Sequence, residues 1–340
     1  MLKTSLSLLL TLVLSNLWSQ SSEQTFRAAF YNVENLFDPS NDSLKNDDEF
    51  TPDGMRNWST YRYWEKTNRM AKAILSIGEG SPPALIGLAE IENRKVLNDL
   101  CQSKVLSKFK YQIIHFESDD WRGIDVAMLY DPSQFSLLFS KKIKIKSPND
   151  ADFATRDLLY VKGTVGSSKQ ELHLVICHWP SRYGGQAQSE PKRILAAQHV
   201  KAWSDSLLLR NPKNALLIMG DLNDEWDNIS IRDTLGAKPF LDNELALGGL
   251  TNLMANLNPQ EGSHRYRGVW SYLDQIIVSQ QLLNTTGLRI KQQQAHICRH
   301  PYLLETDEKY PGQKPYRSFI GMRYNGGFSD HLPVFVDLIY

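Results

Sequence analysis

The sequence predicts an α/β protein whose sheets are covered by helices. Three observations carry this: short β-branched or aromatic segments bounded by turn residues recur along the chain, helical stretches separate some of them, and no internal repeat or low-complexity linker interrupts the pattern. Strands are expected at 26–32, 84–90, 111–116, 125–130, 158–165, 172–178, 215–221, 273–278 and 334–338. Helices are expected at 61–77, 96–106 and 191–209. The last opens with Pro191 in its first turn, where a missing N–H costs nothing, and sets Ile194, Ala197, Val200 and Leu207 on a roughly helical period. Polar insertions at 38–58 and 296–327 separate some of the elements.

Composition narrows the class. Of 340 residues, 41% are hydrophobic and 22% charged, which excludes a disordered tail, a collagen-like repeat and a polytopic membrane protein. Lys plus Arg and Asp plus Glu are 38 each, so a polyanion would have to be gripped locally rather than by bulk charge. At the N-terminus, Lys3 precedes an apolar stretch over 6–17, and no charge returns before Glu23. That run is shorter than the roughly 20 residues needed to cross a bilayer, so it reads as a signal peptide over 1–19 and implies a secreted or periplasmic protein. No Cys follows it to take a lipid. The three cysteines, Cys101, Cys177 and Cys298, leave at least one thiol free, and without a CxxC spacing a structural zinc site is not expected. Cys177, within LHLVICHW, reads as a small buried hydrophobe.

Five strand ends carry polar clusters: FYNVEN, LAEIEN, VICHW, LIMGDLND and the FSDH before the last strand. Polar groups at strand ends are how α/β folds assemble a site from remote parts of the chain. Glu90, Asp330 and the amide oxygen of Asn32 make an oxygen donor set suited to a hard divalent cation. Asp221 and Asn223 can handle a proton and hold a water or phosphoryl oxygen. His178 and His331 suit hydrogen bonding or acid/base roles, each needing an orienting carboxylate, for which Asp274 is a natural candidate. Metal, oriented water and imidazoles around phosphorus describe metal-assisted phosphoester hydrolysis.

YNVENLFD, LAEIEN, CHWPS, GDLND, YLDQIIV and GFSDHLPVF, in that order, resemble the endonuclease/exonuclease/phosphatase superfamily, over about 26–338. The resemblance implies a four-layered α/β sandwich of two packed mixed sheets flanked by helices, and a single domain over 20–340. It implies a metal glutamate at Glu90 completed by Asn32 and Asp330, and an Asp221 that activates water or protonates the leaving oxygen. Asn223 would orient nucleophile or phosphate, His331 would contact phosphate, and Asp274 would orient that imidazole. His178 matches the first histidine of the pancreatic-type nucleases. Asp125 is considered as its partner, and Arg156 as a phosphate contact.

These readings favour a secreted nuclease or general phosphodiesterase using Mg²⁺ or Mn²⁺, with Ca²⁺ allowed, acting as a monomer without a stable protein partner and with no membrane span once the signal is removed. A phosphatase or phospholipase-like hydrolase is the alternative, and a catalytically silent binding module is a third. The cations of 296–327, including Lys314 and Arg317, interleave with aromatics and are expected to form a substrate wall for a polyanion. His115, His173, His199, His264, His296 and His300 are assigned surface or packing roles.

Overall fold

Strands covered on both faces read as continuous apolar runs rather than alternating ones, and the long strands here do so. The computed structural model describes residues 23–240 and 249–340; the expected signal segment lies outside them. In chain order, β1 (Thr25–Leu36) leads to α1 (Thr60–Ile77), β2 (Leu85–Ile91) and α2 (Arg94–Cys101). Then come β3 (Gln112–His115), β4 (Asp125–Tyr130), β5 (Phe135–Ile143), β6 (Leu158–Val165), β7 (Gln170–His178) and the long α3 (Gln186–Arg210). β8 (Leu216–Asp221), β9 (Ala237–Pro239), β10 (Leu250–Asn252), β11 (His264–Tyr266), β12 (Val269–Ser271) and β13 (Asp274–Ser279) follow. The chain closes with β14 (Arg289–Ile290), β15 (His296–Ile297), β16 (Leu304–Thr306), β17 (Gln313–Pro315), β18 (Phe319–Ile320), β19 (Arg323–Tyr324) and β20 (Val334–Ile339).

Two mixed seven-stranded sheets result, one ordered β14-β20-β1-β2-β4-β3 with β15 also on β20, the other β5-β6-β7-β8-β13-β10-β9. Side-chain alternation sorts each strand between two buried layers. Ala28 and Phe30 of β1 meet Leu174, Ile176, Leu217 and Met219 in the core between the sheets. Ala29, Tyr31 and Val33 face the other way, against Met70, Ala71 and Ile74 of α1. On the opposite flank, Val175, Cys177 and Ile218 pack on Ala196, Ala197 and Val200 of α3. The four-layered sandwich is therefore observed, and Cys177 is the small core hydrophobe expected. All three cysteines are free.

Three local departures have physical causes. β5 was not foreseen because it is an edge strand, half exposed and bulged between Leu137 and Phe139, which erases its period. α3 begins at Gln186, so Pro191 sits inside the helix rather than at its first turn. Pro191 and Ala187 are exposed, so water can satisfy the carbonyl that loses its partner. α2 stops at Cys101 instead of reaching 106, where the Ser103 hydroxyl accepts the Leu106 N–H at 3.4 Å and competes with helix continuation. Among the described residues no helix is long and apolar enough to cross a membrane.

Gly220 pairs with Cys177 across β8 and β7 with no room for a side chain: a Cβ there would lie 2.4 Å from the Cys177 carbonyl oxygen and 2.7 Å from its Cβ. Gly220→Ala should force the two strands apart at the residues beside His178 and Asp221, costing about 1–3 kcal/mol by overpacking. A lower thermal midpoint together with lost activity is expected; an unchanged midpoint would show that the strand pair can relax freely.

Candidate active site

The sheets end together, and their register assembles the polar residues. A single row crosses β7, β8 and β13: His178 pairs with Asp221 in parallel register, and Asp221 with Asp274 in antiparallel register. On the facing sheet Asn32 of β1 lies opposite Ala89 of β2, next to Glu90. Both strands break register immediately afterwards, with Glu34, Asn35 and Glu90 at φ of 52°, 57° and 64°. Left-handed conformations at non-glycine residues cost about 1–2 kcal/mol each and persist only where surroundings enforce them. Here the turned Glu90 carboxylate accepts from the Asn35 backbone N–H at 2.9 Å and from the Asn32 amide at 3.3 Å. Asn223, at φ 53°, donates its N–H to Asp221 Oδ1 at 2.9 Å and its amide to the Trp179 carbonyl at 3.1 Å, tying the ends of β7 and β8 together.

The two site histidines are in opposite electrostatic situations. His331 Nδ1 lies 2.7 Å from Asp274 Oδ2. Burial alone would favour its neutral form, but the Asp274 and Asp221 carboxylates overcome this and hold its pKa well above the ordinary value. His178 Nε2 is 3.8 Å from Glu90 and 3.7 Å from Asp221, too far to hydrogen-bond, and its Nδ1 is buried without a partner. Burial, reinforced by Arg156 and Arg122, pushes its pKa well below the ordinary value, so it is neutral at pH 7. Asp221, buried and repelled by Asp274 though attracted by His331, is raised to about 7. Titratable groups whose environments push them apart in this way provide acid and base partners.

A second network holds Asp330. Its Oδ2 accepts from Arg317 Nη2 at 3.0 Å; burial raises its pKa, but Arg317, His331, His264 and Lys66 outweigh burial and bring it down to about 2. Arg317 also pairs with buried Glu34, which burial and Asp330 raise to about 7. Glu34 accepts the Ser318 N–H at 2.6 Å, and Lys66, buried on α1, donates to the Phe328 carbonyl at 2.6 Å and to Ser318 Oγ. The sequence reading missed Glu34, Lys66 and His264, whose ring centroid is 4.8 Å from that of His331. A lysine among the buried positions Tyr63, Thr67 and Met70 of α1 was the available signal for Lys66. His264 reaches the site through an isolated bridge to His331 and carries no local signal.

Three expectations are corrected. Asp125 is not the partner of His178: it binds His115 Nε2 at 3.1 Å and the Ser118 N–H at 2.8 Å. Asn32 lies at the site as expected, its amide oxygen accepting from the Glu34 N–H at 3.0 Å and its amide nitrogen donating to Glu90 at 3.3 Å and Asp221 at 3.0 Å. Arg156 is buried, pairing with Asp120 at 3.1 Å and donating to the Trp179 carbonyl, which sets the strand end beside His178. In the 296–327 segment, Lys314 pairs with Glu305, while Tyr316, Phe319 and Tyr324 pack with Phe328, Trp58 and α1 arginines. Its aromatics are consumed internally, and only Arg317 reaches the site.

The donors suit a hard divalent cation: Glu90, Asp221, Asp274 and Asp330 converge, and Glu90 and Asp330 are the most accessible of them at 16% and 24% side-chain exposure. Both act on the same Lys66 and Arg317. Asp221, Asp274 and His331 offer ligand atoms within 4.8 Å of one another. An uncompensated cluster of buried carboxylates is costly, and a cation removes that cost.

A family model described as the endonuclease/exonuclease/phosphatase family matches residues 27–339. Among solved structures, a Bacteroides thetaiotaomicron protein described by the same family name matches with TM-score 0.57 and 14% identity, over 94% of this chain and 98% of that one. D. rerio TDP2 complexed with a single-strand DNA product gives 0.55 and 15%, over 93% and 99%. The human nocturnin catalytic domain with bound sulfate gives 0.54 and 14%, over 93% and 97%. At these identities the likeness is one of fold. No curated protein matches the sequence significantly.

The raised Asp221 pKa makes a stability prediction for the metal-free protein. A carboxylate held at about 7, above its ordinary value of 3.8, contributes stability that is complete below 3.8 and is lost as pH rises through about 7. The urea midpoint of Asp221→Asn relative to wild type should therefore increase from about pH 4 to about pH 7. A constant difference across that window would contradict the assignment.

Proposed function

This chain belongs to the endonuclease/exonuclease/phosphatase family and is a metal-dependent phosphoester hydrolase, and from that premise we propose that it is an exported single-domain phosphodiesterase whose principal substrate is nucleic acid. The observation that carries the reading is the pair of imidazoles beside Asp221, His178 Nε2 at 3.7 Å and His331 Nε2 at 3.8 Å, of which His331 alone has a hydrogen-bonded carboxylate, Asp274 at 2.7 Å. Cleaving a phosphodiester requires one group that accepts a proton from water and another that stabilises anionic oxygen. Asp221, at about 7, can take the proton of the attacking water near neutral pH. His331, cationic and oriented by Asp274, presents a charged donor to a phosphoryl oxygen. Neutral His178 supplies a hydrogen bond without adding charge, and Asn223 holds the Asp221 carboxylate in place through its backbone N–H. Glu90 and Asp330 would hold a divalent ion, which when bound would neutralise phosphoryl charge. The single-strand DNA product bound by the similar TDP2 structure supports a nucleic-acid substrate, and the apolar N-terminal run after Lys3 supports export.

Activity on a panel of plasmid, RNA, sphingomyelin and inositol phosphates tests the reading. Nucleic-acid cleavage abolished by chelator and restored by Mg²⁺ or Mn²⁺ is expected, with Glu90→Gln weakening the apparent metal affinity; preference for a phosphomonoester or a lipid, or chelator-resistant turnover, would overturn it.

The buried Asp274 makes His331→Ala a poor probe, because it would leave an unpaired charge at 1% exposure. His331→Gln keeps a donor, and should lower kcat by about 10²-fold or more, the range for proton-transfer residues. An unchanged kcat in the folded variant would remove His331 from the chemistry.

A further inference from the structure

Two cavities, of about 740 Å³ and about 660 Å³, flank the site and share one wall, Trp121 and Arg122. Each falls within the roughly 300–1,000 Å³ that holds a small ligand or one unit of a longer one. The first is lined by Arg156, Ser181 and Lys192 and adjoins the end of β7, where Arg156 donates to the carbonyl after His178. The second is lined by Asn35 and Arg56 and adjoins Glu90, which accepts the Asn35 N–H at 2.9 Å. Each cavity thus touches a residue hydrogen-bonded beside the catalytic cluster, Arg156 next to His178 and Asn35 at Glu90, so a strand leaving that cluster has room on both sides of the ridge.

The ridge itself is built to present an aromatic face. Trp121 is 59% exposed, and unlike the other exposed apolar side chains of the molecule it lines both cavities. It is nevertheless held by a pinned loop: its carbonyl accepts from Asn46 N–H at 2.9 Å, and Lys45 Nζ donates to the Ser118 and Asp120 carbonyls at 3.0 Å each. Asp120 lies between two guanidinium groups, Arg122 at 3.4 Å and Arg156 at 3.1 Å, so the three side chains retain one net positive charge beside the indole. Each cavity carries three acidic residues, Asp120, Asp150 and Asp152 in the first and Asp48, Glu49 and Asp53 in the second; with Arg156 committed to Asp120 and the Trp179 carbonyl, Arg122 and Lys192 are the cations the first offers an anion.

Resting on the phosphodiesterase reading above, we propose that Trp121 and Arg122 form a strand-binding subsite for single-stranded nucleic acid, in which the indole stacks a base next to the scissile phosphate and the guanidinium holds a neighbouring phosphate. An aromatic face one residue from a half-exposed cation matches the alternation of base and phosphate along a strand, and stacking on it tolerates any base. The ridge thereby favours long strands over minimal substrates.

The test compares kcat/KM on a single-stranded oligodeoxynucleotide with that on a dinucleotide, in Mn²⁺, for wild type, Trp121→Ala, Trp121→Phe and Arg122→Ala. The oligonucleotide-to-dinucleotide ratio should fall about tenfold in Trp121→Ala and be largely kept in Trp121→Phe, as stacking requires. Arg122→Ala should flatten the salt dependence of the oligonucleotide KM. A ratio and salt slope unchanged in the alanine variants, or a wild type with no preference for the longer strand, would overturn the subsite while leaving the phosphodiesterase reading intact. Wild-type turnover of other phosphoesters with no cleavage of either nucleotide substrate would overturn that reading, and the subsite with it.

Discussion

The 2.7 Å contact between Asp274 and His331 sets the electrostatics of everything around it. Both groups are buried, where a lone charge is heavily penalised, and it is the Asp274 and Asp221 carboxylates that hold His331 protonated against that burial. The imidazolium this creates partly offsets the raised pKa of Asp221 and helps hold Asp330 down to about 2. His178, lacking any comparable partner and facing Arg156 and Arg122, stays neutral. One hydrogen-bonded pair thus divides two chemically identical rings into a charged donor and an uncharged one. The surplus of negative charge that remains at Glu90, Asp221 and Asp330 is the reason a divalent cation belongs in the site.

The fold makes such crowding affordable only at its rim. Two sheets pack apolar faces against each other and are sealed outside by α1 and α3, so a polar group buried there, such as His173 against the Tyr160 hydroxyl, needs a hydrogen-bond partner, and charged groups gather where the strands end. There the register brings His178, Asp221 and Asp274 into one row, while the left-handed turns at Glu34, Asn35 and Glu90 swing the facing sheet's carboxylate toward them. Lys66 and Arg317 then anchor the last loop from α1 and from the hairpin region, placing Asp330 and His331 against a row formed far earlier in the chain. Gly220 leaves room for the Cys177 backbone beside that row, where a Cβ would clash.

Most of the central strands and the ordered motifs were legible because apolar runs ending in Asn, Glu, His and Asp have one physical reading in an α/β protein: core strand followed by site. β5 was illegible since an exposed, bulged edge loses the pattern. The true partners of Asp125 and Arg156 were illegible for another reason: His115, Asp120 and the Trp179 carbonyl meet them only after strand pairing. The 296–327 segment misled because cations interleaved with aromatics can bind a ligand or one another, and here Arg62, Arg69 and Lys72 of α1 take up its tyrosines. His264 shows the same limit, its proximity to His331 coming solely from a tertiary bridge.

The division of the two imidazoles is the centre of the account, and ¹⁵N chemical shifts of the histidine ring nitrogens at neutral pH measure it directly. The account predicts His331 protonated on both nitrogens and His178 neutral in the same sample, with His331 becoming neutral in Asp274→Asn. Two rings titrating together near the ordinary histidine value, indifferent to Asp274, would contradict it.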